Sequence, residues 1–312
     1  MTGDTGGLLL VHAHPDDECF STGGLIARSI AEGRRVDLVV CTGGEEGEVH
    51  DPDLDPEQAR PRMREIRAAE LDCAVAHLGG HGPGEMRVHR LGYRDSGMMG
   101  TEPNENPEAF WQADLDAAAA KLVAILREAR PAVLVTYDAN GNYGHPDHIK
   151  AHRVAVDAFM ASADASRFPE AGPAFGIAKF YEVASNRDRW AAINEELKER
   201  GIKLPWDRDE ESSDEAGAEA AAPEEGEEER PFGVPEADIT ALVDVAPWAA
   251  IKKAAMACHR TQLQDFGWLL ELPDDVAERM LSQESFMLTR YPERGIPAGL
   301  REASLFEGVE GR

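Results

Sequence analysis

Two periodicities alternate along the first half of the chain. Residues 8–11 (LLLV) are an uninterrupted apolar run, the pattern of a buried strand. Residues 23–32 (GGLIARSIAE) carry helical spacing, closed by Gly33. Residues 36–41 (VDLVVC) read as a second strand. Over 56–77, Met63, Ile66, Leu71 and Val75 recur at helical intervals, and the apolar piece at 77–78 is a weak signal for a third strand. Residues 115–129 predict a helix, 132–137 (AVLVTY) a strand and 148–160 a further helix. Strands alternating with helices imply βαβ crossovers. The expected class is therefore α/β, a mostly parallel sheet with helices on both faces. The last third is less regular. It predicts a strand at 178–185, helices at 189–200, 246–258 and 273–282, and a final strand at 284–290 (ESFMLTR). There is no internal repeat.

Composition narrows the class. A chain of 312 residues that is 42% hydrophobic can bury one large core or two small ones. No stretch approaches the ~20 apolar residues of a membrane span. The apolar run near the N-terminus is too short for a secretory signal and has no basic region before it, so a cytoplasmic protein is expected. The net charge of −27 argues against nucleic acid or an anionic membrane as partner. That charge is unevenly placed: residues 209–229 hold 11 acids and no base, and removing them changes the balance from −27 to −16. Lacking aromatic and β-branched residues, this segment is expected to be a disordered insertion. Cys19, Cys41, Cys73 and Cys258 show no paired spacing. Reduced thiols are expected, with neither a disulfide framework nor a cysteine zinc site.

The chemistry concentrates at two strand ends. The first strand runs into His12-Ala13-His14-Pro15-Asp16-Asp17-Glu18. In an open α/β sheet, ligands collect at the carboxyl ends of strands. His14 and Asp17, three apart where a helix begins, offer an imidazole and a carboxylate suited to zinc or iron. Asp16, beside a ligand but free, suits a general base acting on water. The 132–137 strand leads into a Gly/Asn loop and then Tyr143-Gly144-His145-Pro146-Asp147-His148. If the two strands are parallel, these clusters share one end of the sheet and can form a three-ligand metal site with an open position. Spacing alone leaves His145, His148 and His152 as candidates for the third ligand, and His12 competes with His14. His50, His77, His81 and His89 lack matched partners and read as surface or packing residues. His259 reads first as a helix-face residue and second as an active-site contact. The loop Cys41-Thr42-Gly43-Gly44-Glu45-Glu46-Gly47-Glu48 lacks lysine, so it is no phosphate loop, and its carboxylates suit sugar hydroxyls or an amine. Arg94 to Met98 (RDSGM) offers hydrogen bonds to a polyol. Arg64 and Arg67 can simply pair with Glu70 along a helix.

The segments HAHPDDE, CTGGEEGE, RAAEL, YRDSGM and TYDANGNYGHPDH together resemble the LmbE-like N-acetylglucosaminyl deacetylases, the PIG-L family, over residues 8–159 and more loosely beyond. Within it the chain looks most like the mycothiol branch. The resemblance implies a Rossmann-like fold and zinc-dependent removal of the N-acetyl group of an N-acetylglucosaminyl-inositol. It implies one Zn2+ per chain, a donor set that also accepts Fe2+, held by His14, Asp17 and His148. Asp16 matches the general base, His145 the residue that stabilises or protonates the tetrahedral intermediate, and Tyr143 the carbonyl-polarising tyrosine. Glu48, Arg67 and Asp95 match substrate contacts. Residues 1–185 then form the metal-binding catalytic core, and 186–312 complete the substrate pocket. The amidase of mycothiol S-conjugates is the near alternative. Its branch carries a lysine seven residues after the first ligand histidine, where this chain has Ser21. A non-catalytic sugar- or nucleotide-binding module is the alternative from another class. No GxGxxG follows the first strand to support it.

Overall fold

A computed structural model describes residues 6–202 and 233–309, so the acidic segment 209–229 lies outside the described residues. The strands are β1 (Gly7–His12), β2 (Arg35–Thr42), β3 (Glu85–Tyr93), β4 (Pro131–Thr136), β5 (Lys179–Val183), β6 (Ala241–Asp244) and β7 (Gln283–Arg290). They form a single seven-stranded sheet in the order β3-β2-β1-β4-β5-β7-β6. The first five strands are mutually parallel, while β7 runs antiparallel to both β5 and β6. The expected mostly parallel α/β sheet is thus present.

Helices cover both faces. One layer contains α1 (Asp17–Ala31), α2 (Met63–Gly79), α5 (Arg187–Glu199), α6 (Ala249–Met256), α7 (Leu263–Glu271) and α8 (Asp274–Leu281); the other contains α3 (Leu115–Ala129) and α4 (Pro146–Ala163). The strand period of two explains the apolar run in β1. Leu8 and Leu10 pack into the first layer, and Leu9 and Val11 into the second, all fully buried. α1 lies so close to the chain leaving β6 that a Cβ on Gly24 would meet Val245 Cγ2 at 2.5 Å, so any larger residue must push the layers apart.

Several expected elements change at the boundaries. The helical span at 56–77 divides into a one-turn helix Pro56–Ala59, a 3-10 turn Arg60–Arg62 and α2. Pro61 has no N–H to donate and restricts Arg60, which interrupts the run. No strand forms at 77–78, which lies in the last turn of α2. The third strand is instead β3, whose Glu85, Arg87 and His89 mask its period. It is an edge strand, where charge is tolerated and protects against further pairing. β6 and α7 were not signalled by sequence pattern.

The cysteine expectation is corrected. Cys73 on α2 and Cys258 after α6 form a disulfide, with Cα atoms 5.8 Å apart across 185 residues of sequence. Packing of α2 on α6 creates the pair, and no local spacing could announce it. Cys19 and Cys41 are free and buried.

The connections from β1 leave toward β2 on one side, and β4 lies on its other side. This is a topological switch point, which opens a crevice at the carboxyl ends of β1 and β4. Among the described residues, no helix is long and apolar enough to cross a membrane.

Candidate metal centre

The two histidine-bearing loops meet in that crevice. β1 ends at His12 and delivers His14 and Asp17 to the start of α1. β4 ends at Thr136, and its loop delivers His148 on the first turn of α4. His14 Nδ1 lies 3.3 Å from His148 Nε2 and 3.5 Å from Asp17 Oδ2, and His148 Nε2 lies 3.4 Å from Asp17 Oδ1. Two donors bonded at about 2.0–2.1 Å with a tetrahedral angle stand about 3.3 Å apart. These separations, with Asp17 turning one oxygen to each histidine, match the spacing of donors that share a single ion. His145 also lies close enough to His14 and His148 to be grouped with them. Asp17 is the better third donor, because its carboxylate closes both sides of the triangle and brings the negative charge.

The surrounding bonds orient these donors. His14 Nε2 faces Asp147 Oδ2 at 3.2 Å, so its proton belongs there and Nδ1 is left to ligate. Asp147 is fully buried and is itself fixed by the Ser96 N–H at 2.9 Å and by the Ser96 hydroxyl. The Tyr137 ring stacks on His148 with centroids 4.1 Å apart, and its hydroxyl accepts the Ala13 N–H at 2.8 Å. His12 turns away from the donors, with Nε2 2.9 Å from Thr22 Oγ1. His152 bonds the Tyr137 carbonyl through Nδ1 at 2.9 Å. Neither joins the triangle.

Asp16 sits at its edge in a left-handed backbone conformation, φ 121°, that side chains of this kind rarely adopt. Its Oδ2 accepts from Arg67 Nη2 at 2.9 Å, while the same guanidinium donates to Pro15 O at 2.5 Å and Gly44 O at 2.8 Å. Gly44 has φ +67°, and a Cβ there would lie 2.5 Å from Arg67 Cζ. The glycine thus makes room for the arginine that holds Asp16.

Burial sets the charges of the site. It raises the Asp16 carboxyl to about 7 against the opposing pull of Arg67. Burial would also raise Asp17, but His148 and His14 hold it well below the usual carboxylate range. For His14 burial opposes the charged ring, yet Asp95, Asp147 and Asp17 raise it well above the ordinary value. Burial lowers His148 to about 4 and, with His14 and His148 adding to it, lowers His145 to about 3.

His145 caps α4, its Nδ1 accepting the Asp147 N–H at 3.1 Å, which places its own hydrogen on Nε2. Tyr143 stands over the pair, 6.1 Å from the His145 ring centroid and 5.1 Å from that of His148, and is 58% exposed. The structure thus brings His14, Asp16, Asp17, Tyr143, His145 and His148 together. Asp95 lies behind His14, 3.7 Å from Nε2, and accepts the Gly97 N–H at 2.9 Å. Arg67 is buried behind Asp16. The Glu48 side chain points outward, 76% exposed, and pairs with His50 at 3.2 Å. Four residues carry site geometry without an assigned role in the sequence: Asp147, Ser96, Tyr137 and Glu18. Asp147 could have been found between His145 and His148; the other three become visible only in three dimensions. His259 is a buried active-site neighbour rather than a helix-face residue, with Nε2 2.8 Å from Glu18 Oε1.

Known proteins resemble this chain over most of its length. The profile of the PIG-L family, described as GlcNAc-PI de-N-acetylase, matches residues 9–159. The 1D-myo-inositol 2-acetamido-2-deoxy-alpha-D-glucopyranoside deacetylase of Streptomyces avermitilis is 44% identical over 97% of this chain and 97% of its own length. The protein of Catenulispora acidiphila named as deacetylase 1 of the same compound is 42% identical over 97% of this chain and 89% of its own. Among solved structures, the N,N'-diacetylchitobiose deacetylase of Pyrococcus horikoshii aligns over 92% of this chain and 84% of its own with a TM-score of 0.55. At 17% identity that match speaks for the fold alone.

Proposed function

We propose that this chain, which belongs to the PIG-L family of GlcNAc-PI de-N-acetylases, hydrolyses the N-acetyl group of 1D-myo-inositol 2-acetamido-2-deoxy-α-D-glucopyranoside, a step of mycothiol biosynthesis. The observation that carries the chemistry is the donor triangle of His14, Asp17 and His148 with Asp16 at its edge. The substrate follows from the relatives that match it over nearly the whole chain.

His14, Asp17 and His148 would hold one divalent ion, which we assign as Zn2+; the same donors accept Fe2+. When bound, such an ion supplies Lewis acidity toward the amide carbonyl and makes a water more acidic. Asp16, pinned by Arg67, takes the proton of the attacking water. The C–N bond then breaks only if the leaving nitrogen gains a proton, and Asp16 is placed to return the one it took. His145, whose Nδ1 is occupied by the Asp147 N–H, presents Nε2–H to the acetyl oxygen as negative charge grows there. The Tyr143 hydroxyl polarises the same carbonyl. Glu48, on the rim, is open to a sugar hydroxyl, whereas Arg67 and Asp95, the other two residues matched to substrate contacts, are buried against Asp16 and His14 and would reach a substrate only at that inner edge. Residues 1–185 form the catalytic core. The described residues beyond 185 close the pocket, Gln262 bonding the Glu48 carbonyl at 2.8 Å. We also infer a cytoplasmic enzyme of small-molecule substrate, whose net charge of −27 repels nucleic acid and anionic lipid.

The test is release of free amine from the acetamido-glucopyranosyl-inositol, run beside a bimane conjugate of mycothiol. Turnover of the inositol compound is expected to dominate. Preference for the conjugate would make this a detoxifying amidase. Turnover of neither, with metal bound, would move the substrate elsewhere.

A further inference from the structure

Asp16 holds a backbone conformation of φ 121° and ψ −33° at the head of α1. Isolated, such a residue relaxes; strain of this kind persists only where surrounding bonds determine it. Arg67 holds the carboxylate and the Pro15 carbonyl, and the Cys19 N–H donates to Asp16 O at 2.9 Å, which leaves the Asp16 N–H to find a partner of its own. The Asp16 N–H donates to Glu18 Oε2 at 2.9 Å. Glu18 is fully buried, and its other oxygen accepts His259 Nε2–H at 2.8 Å and the Cys19 thiol at 3.0 Å. His259 is likewise fully buried, and its Nδ1 has no hydrogen-bond partner among the described residues. Among the described residues the imidazole therefore makes one hydrogen bond, and that bond ends on Glu18.

The segment carrying His259 is itself tied to α2, the helix that supplies Arg67. Glu70 accepts the Thr261 N–H at 2.8 Å and its hydroxyl at 2.7 Å, and Cys258 is bonded to Cys73. Two anchors from α2 thus converge on Asp16: Arg67 directly on the carboxylate, and residues 258–261 through His259 and Glu18 on the backbone.

We infer that His259 is a positioning residue for Asp16, acting through Glu18 to hold the strained Asp16 backbone in the orientation from which its carboxylate works. The inference rests on the deacetylase reading for its meaning in catalysis, but the restraint itself does not. Without His259, that Glu18 oxygen keeps only the weak Cys19 thiol donor, and the carboxylate is free to turn and release the Asp16 N–H. The carboxylate would then swing about Arg67. A misplacement of about 1 Å at a reacting group can lower turnover by about a hundredfold.

The experiment compares His259→Leu, which removes the donor, with His259→Gln, whose amide can reach the same position and restore it. Amide hydrogen exchange at Asp16, metal content per chain and steady-state kinetics are measured on the full chain. In His259→Leu, Asp16 amide protection and kcat are each expected to fall at least tenfold, with KM within twofold and metal content unchanged. His259→Gln is expected to recover most of both. Wild-type exchange at Asp16 in His259→Leu would overturn the restraint whatever the enzyme acts on. Faster exchange with wild-type kcat would overturn its catalytic meaning, and so would loss of metal in step with kcat that Gln does not rescue. Should the leucine variant fail to fold, the glutamine variant decides: retained protection and turnover support the inference, and loss of both in a folded, metal-loaded protein overturns it. If wild type fails on the inositol substrate, the proposed function falls, and the exchange arm still judges the restraint.

Discussion

Gly44→Ala tests whether the space around Arg67 is as tight as the structure describes. The added Cβ meets Arg67 Cζ at 2.5 Å and Nε at 2.8 Å, well inside van der Waals contact. Gly44 also has φ +67°, where an alanine is disfavoured by about 1–2 kcal/mol. The guanidinium must withdraw, and with it at least one of its bonds to Gly44 O, Pro15 O and Asp16 Oδ2. A hydrogen bond involving a charged group contributes about 1.5–3 kcal/mol, so the variant should lose roughly 3 kcal/mol in urea unfolding. Turnover should fall as well, because Asp16 loses its anchor. The decisive arm is the double variant. In an Arg67→Ala background the crowding is gone, and Gly44→Ala should cost only the backbone strain, about 1 kcal/mol. The two substitutions are therefore expected to be less than additive by about 2 kcal/mol. Additive losses would refute the reasoning, since they would mean that the new methyl group acts without touching Arg67.

Other consequences can be checked at the same bench. Asp16→Asn should lower kcat by about a hundredfold or more while metal content stays at the wild-type level; near-normal turnover would remove Asp16 as the base. Chelation should abolish amine release and added Zn2+ restore it. His14→Ala and His148→Ala should lose bound metal, whereas His12→Phe and His152→Ala should keep it, because those rings bond Thr22 and the Tyr137 carbonyl instead. Metal loss in the His12 variant would show that the triangle has been drawn with the wrong histidine. Reducing the Cys73–Cys258 bond releases a loop spanning 185 residues, for which chain entropy sets a ceiling of about 5 kcal/mol. A loss of about 2–4 kcal/mol is expected in unfolding with and without reductant, and equal midpoints would argue against the bond.

The fold was legible where burial is uniform and opaque where it is mixed. β1, β2 and β4 are buried on both faces, and their apolar runs announce them. β3 is an edge strand whose exposed face carries Glu85, Arg87 and His89, so its apolar signal reduces to Met86, Val88 and Leu91. β6 has four residues, too few for a period to register. The Cys73–Cys258 bond depends on how α2 meets α6, and four cysteines without local spacing give no hint of which two will meet.

The site divides along the same physical line. Residues that must sit together in a short turn leave a motif: His14, Asp16 and Asp17 are neighbours because one loop must deliver them, and His145 and His148 because one helix start must. What joins the two groups is strand order, and parallel β1 and β4 side by side could be anticipated from the βαβ rhythm. The residues that aim the donors are different in kind. Ser96 reaches Asp147 across 51 positions, Arg67 reaches Asp16 across 51, and His259 reaches Glu18 across 241. Each acts through one to three bonds to a distant partner, and such bonds impose no spacing on a sequence. Such residues look like packing or surface charges until the fold is built. They are nonetheless where geometry is decided, because a buried carboxylate in a strained backbone has no preferred direction of its own. Sequence motifs in this chain therefore name the groups that react, and the distant contacts determine whether those groups face one another.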